Sequence, residues 1–130
     1  MSLDPCQTPV LVADDEESLL RLCGRVLGRR GYEVLAARTG DDAVRVFAER
    51  SAEVRAVVID ATIPPDGAAK AVQEMLKLRG GVRVVFTSGG DLDEGLRALL
   101  QDSSGIFLRK PFPAEALVRA VEDCPPRGDL

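Results

Sequence analysis

The feature that most constrains this chain is an alternation. Short apolar runs rich in β-branched residues are separated repeatedly by amphipathic stretches with helical spacing. The runs are Pro9-Val10-Leu11-Val12-Ala13, residues 32–37, Ala56-Val57-Val58-Ile59, residues 82–86 and Ile106-Phe107-Leu108. Most are apolar almost throughout, like strands buried on both faces of a parallel sheet. Strict alternation of strand and helix, with connections of two to seven residues, requires parallel strands and right-handed crossovers. The expectation is a doubly wound, three-layer α/β domain of five strands and five helices. A four-stranded sheet is the alternative if residues 32–37 fail to pair.

The helical stretches carry their own punctuation. Leu19, Leu22, Cys23, Val26 and Leu27 recur at i, i+3, i+4 spacing and predict a buried face, ended by Gly31. Thr39 predicts the cap of a second helix bearing Ala43, Val46 and Phe47, with Asp41 and Asp42 favourable to its dipole. A turn through Ile63-Pro64-Pro65-Asp66-Gly67 leads to a third helix with Val72, Met75 and Leu76 inward, closed by Gly80-Gly81. Asp91 with Glu94 predicts a capping box for a fourth helix carrying Leu92, Leu96 and Leu99. Pro113 predicts the first position of a fifth, with Leu117, Val118 and Val121 facing the core.

Composition narrows the function. The 130 residues suit one domain, expected over residues 9–124, with 1–8 as a leader and 125–130 as a tail or linker stub. Net charge is −4 and no basic cluster exceeds Arg29-Arg30, which argues against nucleic-acid binding. No apolar stretch reaches the ~20 residues that span a bilayer. Cys6, Cys23 and Cys124 are odd in number and widely spaced, which predicts a reducing cytoplasm rather than a disulfide framework. Histidine is absent, so any histidine chemistry comes from a partner.

Five polar side chains stand where apolar runs stop: Asp14, Asp15, Asp60, Ser88 and Lys110. In a parallel sheet the carboxyl ends of the strands share one edge, and ligands bind in the crevice outside it. Each residue also has a plain structural role. Asp14 or Asp15 could cap a helix, Ser88 could shape a turn, and Lys110 could be solvated. Asp14-Asp15 followed by Glu16-Glu17 concentrates more negative charge than a cap requires, and a hard cation such as Mg²⁺ would relieve it. Asp60 ends the most apolar run, where an ionised carboxylate is costly unless paired or metal-bound. Near a cation it could act as a nucleophile toward phosphorus.

Together these residues resemble the response-regulator receiver domain, the phosphoacceptor module of two-component signalling, over about residues 9–124. The resemblance rests on Val10-Leu11-Val12 leading to Asp14-Asp15-Glu16, Asp60 to Pro64, Ser88-Gly89 and Lys110-Pro111-Phe112, in that order. It implies strand order 2-1-3-4-5, which sets the first and third strands side by side. It further implies that Asp60 accepts a phosphoryl group from a partner's phosphohistidine. Asp15 and Asp60 would bind Mg²⁺ directly, with the backbone carbonyl of Thr62, while Asp14 acts through water. Lys110 would contact the phosphoryl group or Asp60. Ser88, which lies 22 residues before Lys110, would be the hydroxyl switch, and Phe107 the aromatic one.

Implied partners are a histidine kinase or phosphotransfer domain and a fused or separate output domain. The Ser-Gly form of the switch is more like the receiver of a hybrid sensor kinase than a transcriptional regulator. One departure stands out: the loop after Asp60 is one residue shorter than the family pattern, judged by Asp66-Gly67. Two alternatives accompany this reading. One is a degenerate receiver that only binds. The other is a phosphatase resembling the haloacid dehalogenases, whose second aspartate would fall where this chain has Thr62.

Overall fold

The computed structural model describes residues 8–103 and 105–122. In chain order the elements are β1 (Pro9–Ala13), α1 (Glu17–Arg29), β2 (Glu33–Ala37), α2 (Gly40–Glu49), β3 (Ala56–Asp60), α3 (Ala68–Leu78), β4 (Arg83–Ser88), α4 (Glu94–Asp102), β5 (Ile106–Arg109) and α5 (Ala114–Glu122). Five parallel strands form one sheet in the order β2-β1-β3-β4-β5. Residues 32–37 do pair, from Glu33 onward, so the five-stranded expectation holds. The alternating pattern required this: each helix returns the chain to the same end of the sheet, so the strands run the same way.

Side-chain alternation divides the core into two layers. Leu11, Val57, Ile59, Val84 and Phe86 point to one face, covered by Ala43, Phe47, Val72, Met75 and Leu96 from α2, α3 and α4. Val10, Val12, Ala56, Val58 and Val85 point to the other, covered by Cys23, Leu27, Leu117, Ala120 and Val121 from α1 and α5. Strands β1, β3 and β4 are buried along their whole length. Their near-continuous apolar sequence follows from being covered on both faces.

The helix ends bear out most of the punctuation. Gly31 adopts φ 94°, and the Gly31 and Tyr32 amides bond back to the Gly28 and Leu27 carbonyls, a Schellman closure. Thr39 Oγ1 accepts from the Asp42 amide at 3.0 Å, as its position predicts. At the far end of the sheet Arg55 donates to the Val121 and Glu122 carbonyls at 3.1 and 2.9 Å, capping α5 from another element.

Two expectations are corrected. The cap of α4 is Asp93, whose side chain accepts from the Leu96 amide, and Asp91 instead pairs with Arg109 on β5. Two aspartates fall within reach of the helix start, and only Asp93 lies three residues before a free amide in the first turn. Leu22 is 43% exposed because α1 turns its Cys23–Leu27 edge toward the sheet. Strand β4 ends at Thr87 and Ser88, as the strand-end position of Ser88 predicts. Cys6, Cys124 and the expected tail lie outside the described residues, as does the leader except Thr8.

The short loop after Asp60 closes on backbone bonds. Gly67 N–H donates to Ile63 at 2.7 Å, Ala68 N–H to Ala61 at 3.0 Å, and Gly40 N–H to Pro64 at 2.8 Å. Gly67 has φ 88° and ψ 179°, and a Cβ there would lie 3.3 Å from the Ala61 carbonyl oxygen. Only glycine occupies that region without strain, so Gly67→Ala should lower the free energy of unfolding by about 1–3 kcal/mol, measured by denaturant titration.

Cys23 gives a pH expectation. Burial, and then the charge of Asp14, raise its thiol from 9.0 to about 11. The unfolded thiol ionises first, so between these values the folded chain retains a proton that the unfolded chain has released. Stability should therefore fall as pH rises through that window. With Cys6 and Cys124 replaced by serine, thiol labelling at pH 9 should be slow and should accelerate on unfolding.

Candidate functional site

Strand ends β1 and β3 are adjacent in register, with Ala13 opposite Ile59, so Asp14 and Asp60 leave the sheet side by side. Along their strands both follow the Val10-Val12 and Ala56-Val58 alternation, which faces α1 and α5. Lys110 continues the alternation of Ile106 and Leu108 and belongs to the same side. The side chain of Asp14 is 2% exposed and that of Asp60 8%, whereas Asp15 is open to solvent. One carboxylate oxygen from each of Asp14, Asp15 and Asp60 lies within 4.8 Å of the other two.

Lys110 reaches into this group. Its Nζ donates to Asp14 Oδ2 at 2.8 Å and stands 3.7 Å from Asp60 Oδ2. Burial alone would lower its pKa, but the hydrogen bond and charge of Asp14, then Asp60, outweigh it and hold the ammonium above its ordinary 10.5. The Lys110 amide bonds to the Ser88 carbonyl at 2.8 Å, so the backbone of β4 fixes where this side chain starts. Its bond to Pro111 is cis.

Three carboxyl groups against one ammonium leave a formal balance of two negative charges. All the donors are hard oxygens, and a divalent cation of the Mg²⁺ or Ca²⁺ type suits both the charge and the donor set. The arrangement therefore offers a nucleophilic carboxylate, a cation site and an ammonium within a few ångströms of one another.

The remaining sequence candidates lie around this centre. Thr62 Oγ1 is 3.3 Å from both Asp60 oxygens, and its amide is 3.3 Å from Oδ1. Sequence reading assigned Thr62 only a backbone role; a hydroxyl two residues after an aspartate was the signal for this side-chain contact. Ser88 is 5% exposed and its Oγ accepts from the Gly90 amide at 3.1 Å, leaving its own hydroxyl proton free to donate elsewhere. Phe107 is half-buried against the α3–α4 side of the core, paired in register with Phe86, away from the carboxylates. Arg38 was not foreseen: it follows β2 and donates to the Asp15 carbonyl at 3.4 Å. Its placement depends on β1–β2 pairing, which leaves no local signal.

Comparison with known proteins agrees with this geometry. Residues 10–122 match the family model described as the response regulator receiver domain. The curated relative sensor kinase CckA of Brucella abortus (strain 2308) is 32% identical over 114 residues, 88% of this chain. The chain spans only 12% of that relative's length. A receiver domain protein of Clostridium thermocellum superposes with a TM-score of 0.81 at 29% identity, covering 90% of this chain and 93% of its own. The CheX–CheY complex of Borrelia burgdorferi, which contains BeF3 and magnesium, shares the fold at a TM-score of 0.79 and 19% identity, over 88% and 87% of the two chains.

The pairing of Lys110 with buried Asp14 yields a test. Replacing Lys110 with methionine leaves a buried carboxylate without its partner, and should cost about 1–3 kcal/mol near neutral pH. Because the Lys110 pKa is raised on folding, its contribution is complete below 10.5 and is lost as pH climbs through the folded value. Denaturant titrations of both proteins should therefore converge at high alkaline pH. A stability gap that is the same at pH 7 and at pH 12 would contradict the electrostatic origin.

Proposed function

The chain belongs to the response regulator receiver domain family, and on that premise we propose that it is a Mg²⁺-dependent phosphoacceptor switch whose acceptor is Asp60. The observation that supports this most is the convergence of Asp14, Asp15 and Asp60 within 4.8 Å, with the Lys110 ammonium 3.7 Å from the acceptor. An Asp60 oxygen attacks the phosphorus of a partner's phosphohistidine. The new O–P bond forms as the N–P bond breaks, and the electron pair leaves with the imidazole nitrogen. Mg²⁺ would supply neutralisation of the charge on the transferring group, which with positioning dominates this kind of catalysis. Asp15, Asp60 and the Thr62 carbonyl would hold the ion, with Asp14 acting through water.

The chain's own groups do the rest. Lys110 offsets charge on the incoming oxygens and keeps Asp14 and Asp60 from repelling each other. Ser88 has a free proton to donate to a phosphoryl oxygen once Asp60 carries one. Its movement opens space on the Phe86–Phe107 side of the sheet, and the ring of Phe107 turns inward to fill it. The surface that changes comprises α4, β5 and α5, including the exposed Arg109 and Glu115 above the buried Leu92 and Leu96, and an output partner reads the switch there. A cytoplasmic histidine kinase or phosphotransfer domain serves as donor, consistent with the absence of histidine from this chain. Among the described residues no helix is long and apolar enough to cross a membrane.

Intact-mass measurement tests the assignment. Incubation with acetyl phosphate and Mg²⁺ should add the mass of one phosphoryl group, chelation should suppress the addition, and Asp60→Asn should abolish it. Undiminished labelling of Asp60→Asn would place the acceptor elsewhere.

A further inference from the structure

A second, exposed charge pair lies against Phe107, and it links that ring to the Ser88 loop. The guanidinium carbon of Arg109 sits 5.7 Å from the centroid of the Phe107 ring, within cation–π range. Arg109 NH2 also donates to Asp91 Oδ1 at 2.9 Å. Asp91 follows Ser88 by three residues, across Gly89 and Gly90, where an added Cβ would meet nothing within 4 Å. Ser88 in turn is tied to that loop by the Gly90 amide on its Oγ, at 3.1 Å. One continuous path therefore runs from the Ser88 hydroxyl at the end of β4, the strand next to β3, through two unobstructed glycines, to a cation resting on the aromatic ring.

From this geometry we propose that Asp91 and Arg109 form an electrostatic latch on Phe107. Asp91 holds the guanidinium over the ring, and the pair keeps Phe107 in its half-buried position. Movement of Ser88 toward Asp60 draws on the Gly89-Gly90 segment, shifts Asp91, and frees Arg109 from the ring. The latch sets the resting bias of the aromatic switch and gives the loop a second route to it besides the space vacated by Ser88. It deepens the phosphoacceptor reading and rests on it. Asp91 does this work because Asp93, and not Asp91, caps α4.

The pair is open to water, with side chains 54% and 79% exposed. Its contribution must therefore be small and salt-sensitive, and its loss should change the ring equilibrium by roughly two- to fivefold. Such a bias is modest, as suits a switch that a single phosphoryl group must be able to throw.

Fluorine NMR of the full chain labelled with fluorophenylalanine reads the ring directly, with the four phenylalanines assigned by substitution. Without any phosphodonor, Asp91→Asn and Arg109→Gln should each shift Phe107 toward its inward population by roughly two- to fivefold. The double variant should add little beyond either single one, and raising salt should move the wild-type spectrum toward the variants. Phe107 populations that are unchanged in both single variants would overturn the latch. The phosphoacceptor switch is judged separately, by adding beryllofluoride and Mg²⁺ to the wild type. A wild-type ring that ignores them counts against the switch reading, whereas a ring that responds to them but not to the substitutions counts against the latch alone.

Discussion

Everything at the functional edge depends on how buried negative charge is held there. Asp14 and Asp60 emerge side by side from the adjacent strands β1 and β3, almost without solvent, and like charges at that separation repel strongly in a poorly polarisable surrounding. Lys110 is the chain's own answer, bonded to Asp14 at 2.8 Å and close to Asp60. It compensates one carboxylate of three, and the remaining charge and hard oxygen donors suit a divalent cation. A pair tuned for stability alone would leave no such deficit.

The fold supplies that edge through constraints that have nothing to do with chemistry. Parallel strands have to be covered on both faces, so their sequences are apolar until they leave the sheet. Polar residues at or just past the ends of the runs, such as Asp14, Asp60 and Lys110, then meet in the crevice. Order β2-β1-β3-β4-β5 sets the acidic ends of β1 and β3 in the middle, the hydroxyl of β4 next, and the lysine after β5 beyond it. By strand alternation Ser88 and Phe107 belong to the α3–α4 side, while Asp14, Asp60 and Lys110 follow the opposite alternation.

How much of this was legible in the sequence follows from the range of each interaction. The strands and helices were, because periodicity is local and strong, and all five runs became strands with small shifts at their ends. The central residues Asp14, Asp15, Asp60 and Lys110 were also legible, since a polar residue ending a buried run is conspicuous. What was missed depends on contacts between distant segments or on competition between neighbours. Asp91 and Asp93 are both plausible caps, and only the path of the chain from β4 decides between them. Leu22 fits a helical stripe, yet the rotation of α1 on the sheet leaves it exposed. Arg38 beside Asp15 is a guanidinium placement that depends on strand pairing, whereas Arg109 lies over Phe107 because residues two apart on one strand share a face.

The charge balance at the sheet edge is tested most directly by calorimetric titration of Mg²⁺ into the chain at neutral pH. The balance of three carboxylates against one ammonium calls for one ion per chain, with binding lost in Asp15→Asn and tightened in Lys110→Met, where a competing cation is gone. An ion bound equally well by wild type and Asp15→Asn, or weakened by the loss of Lys110, would contradict it.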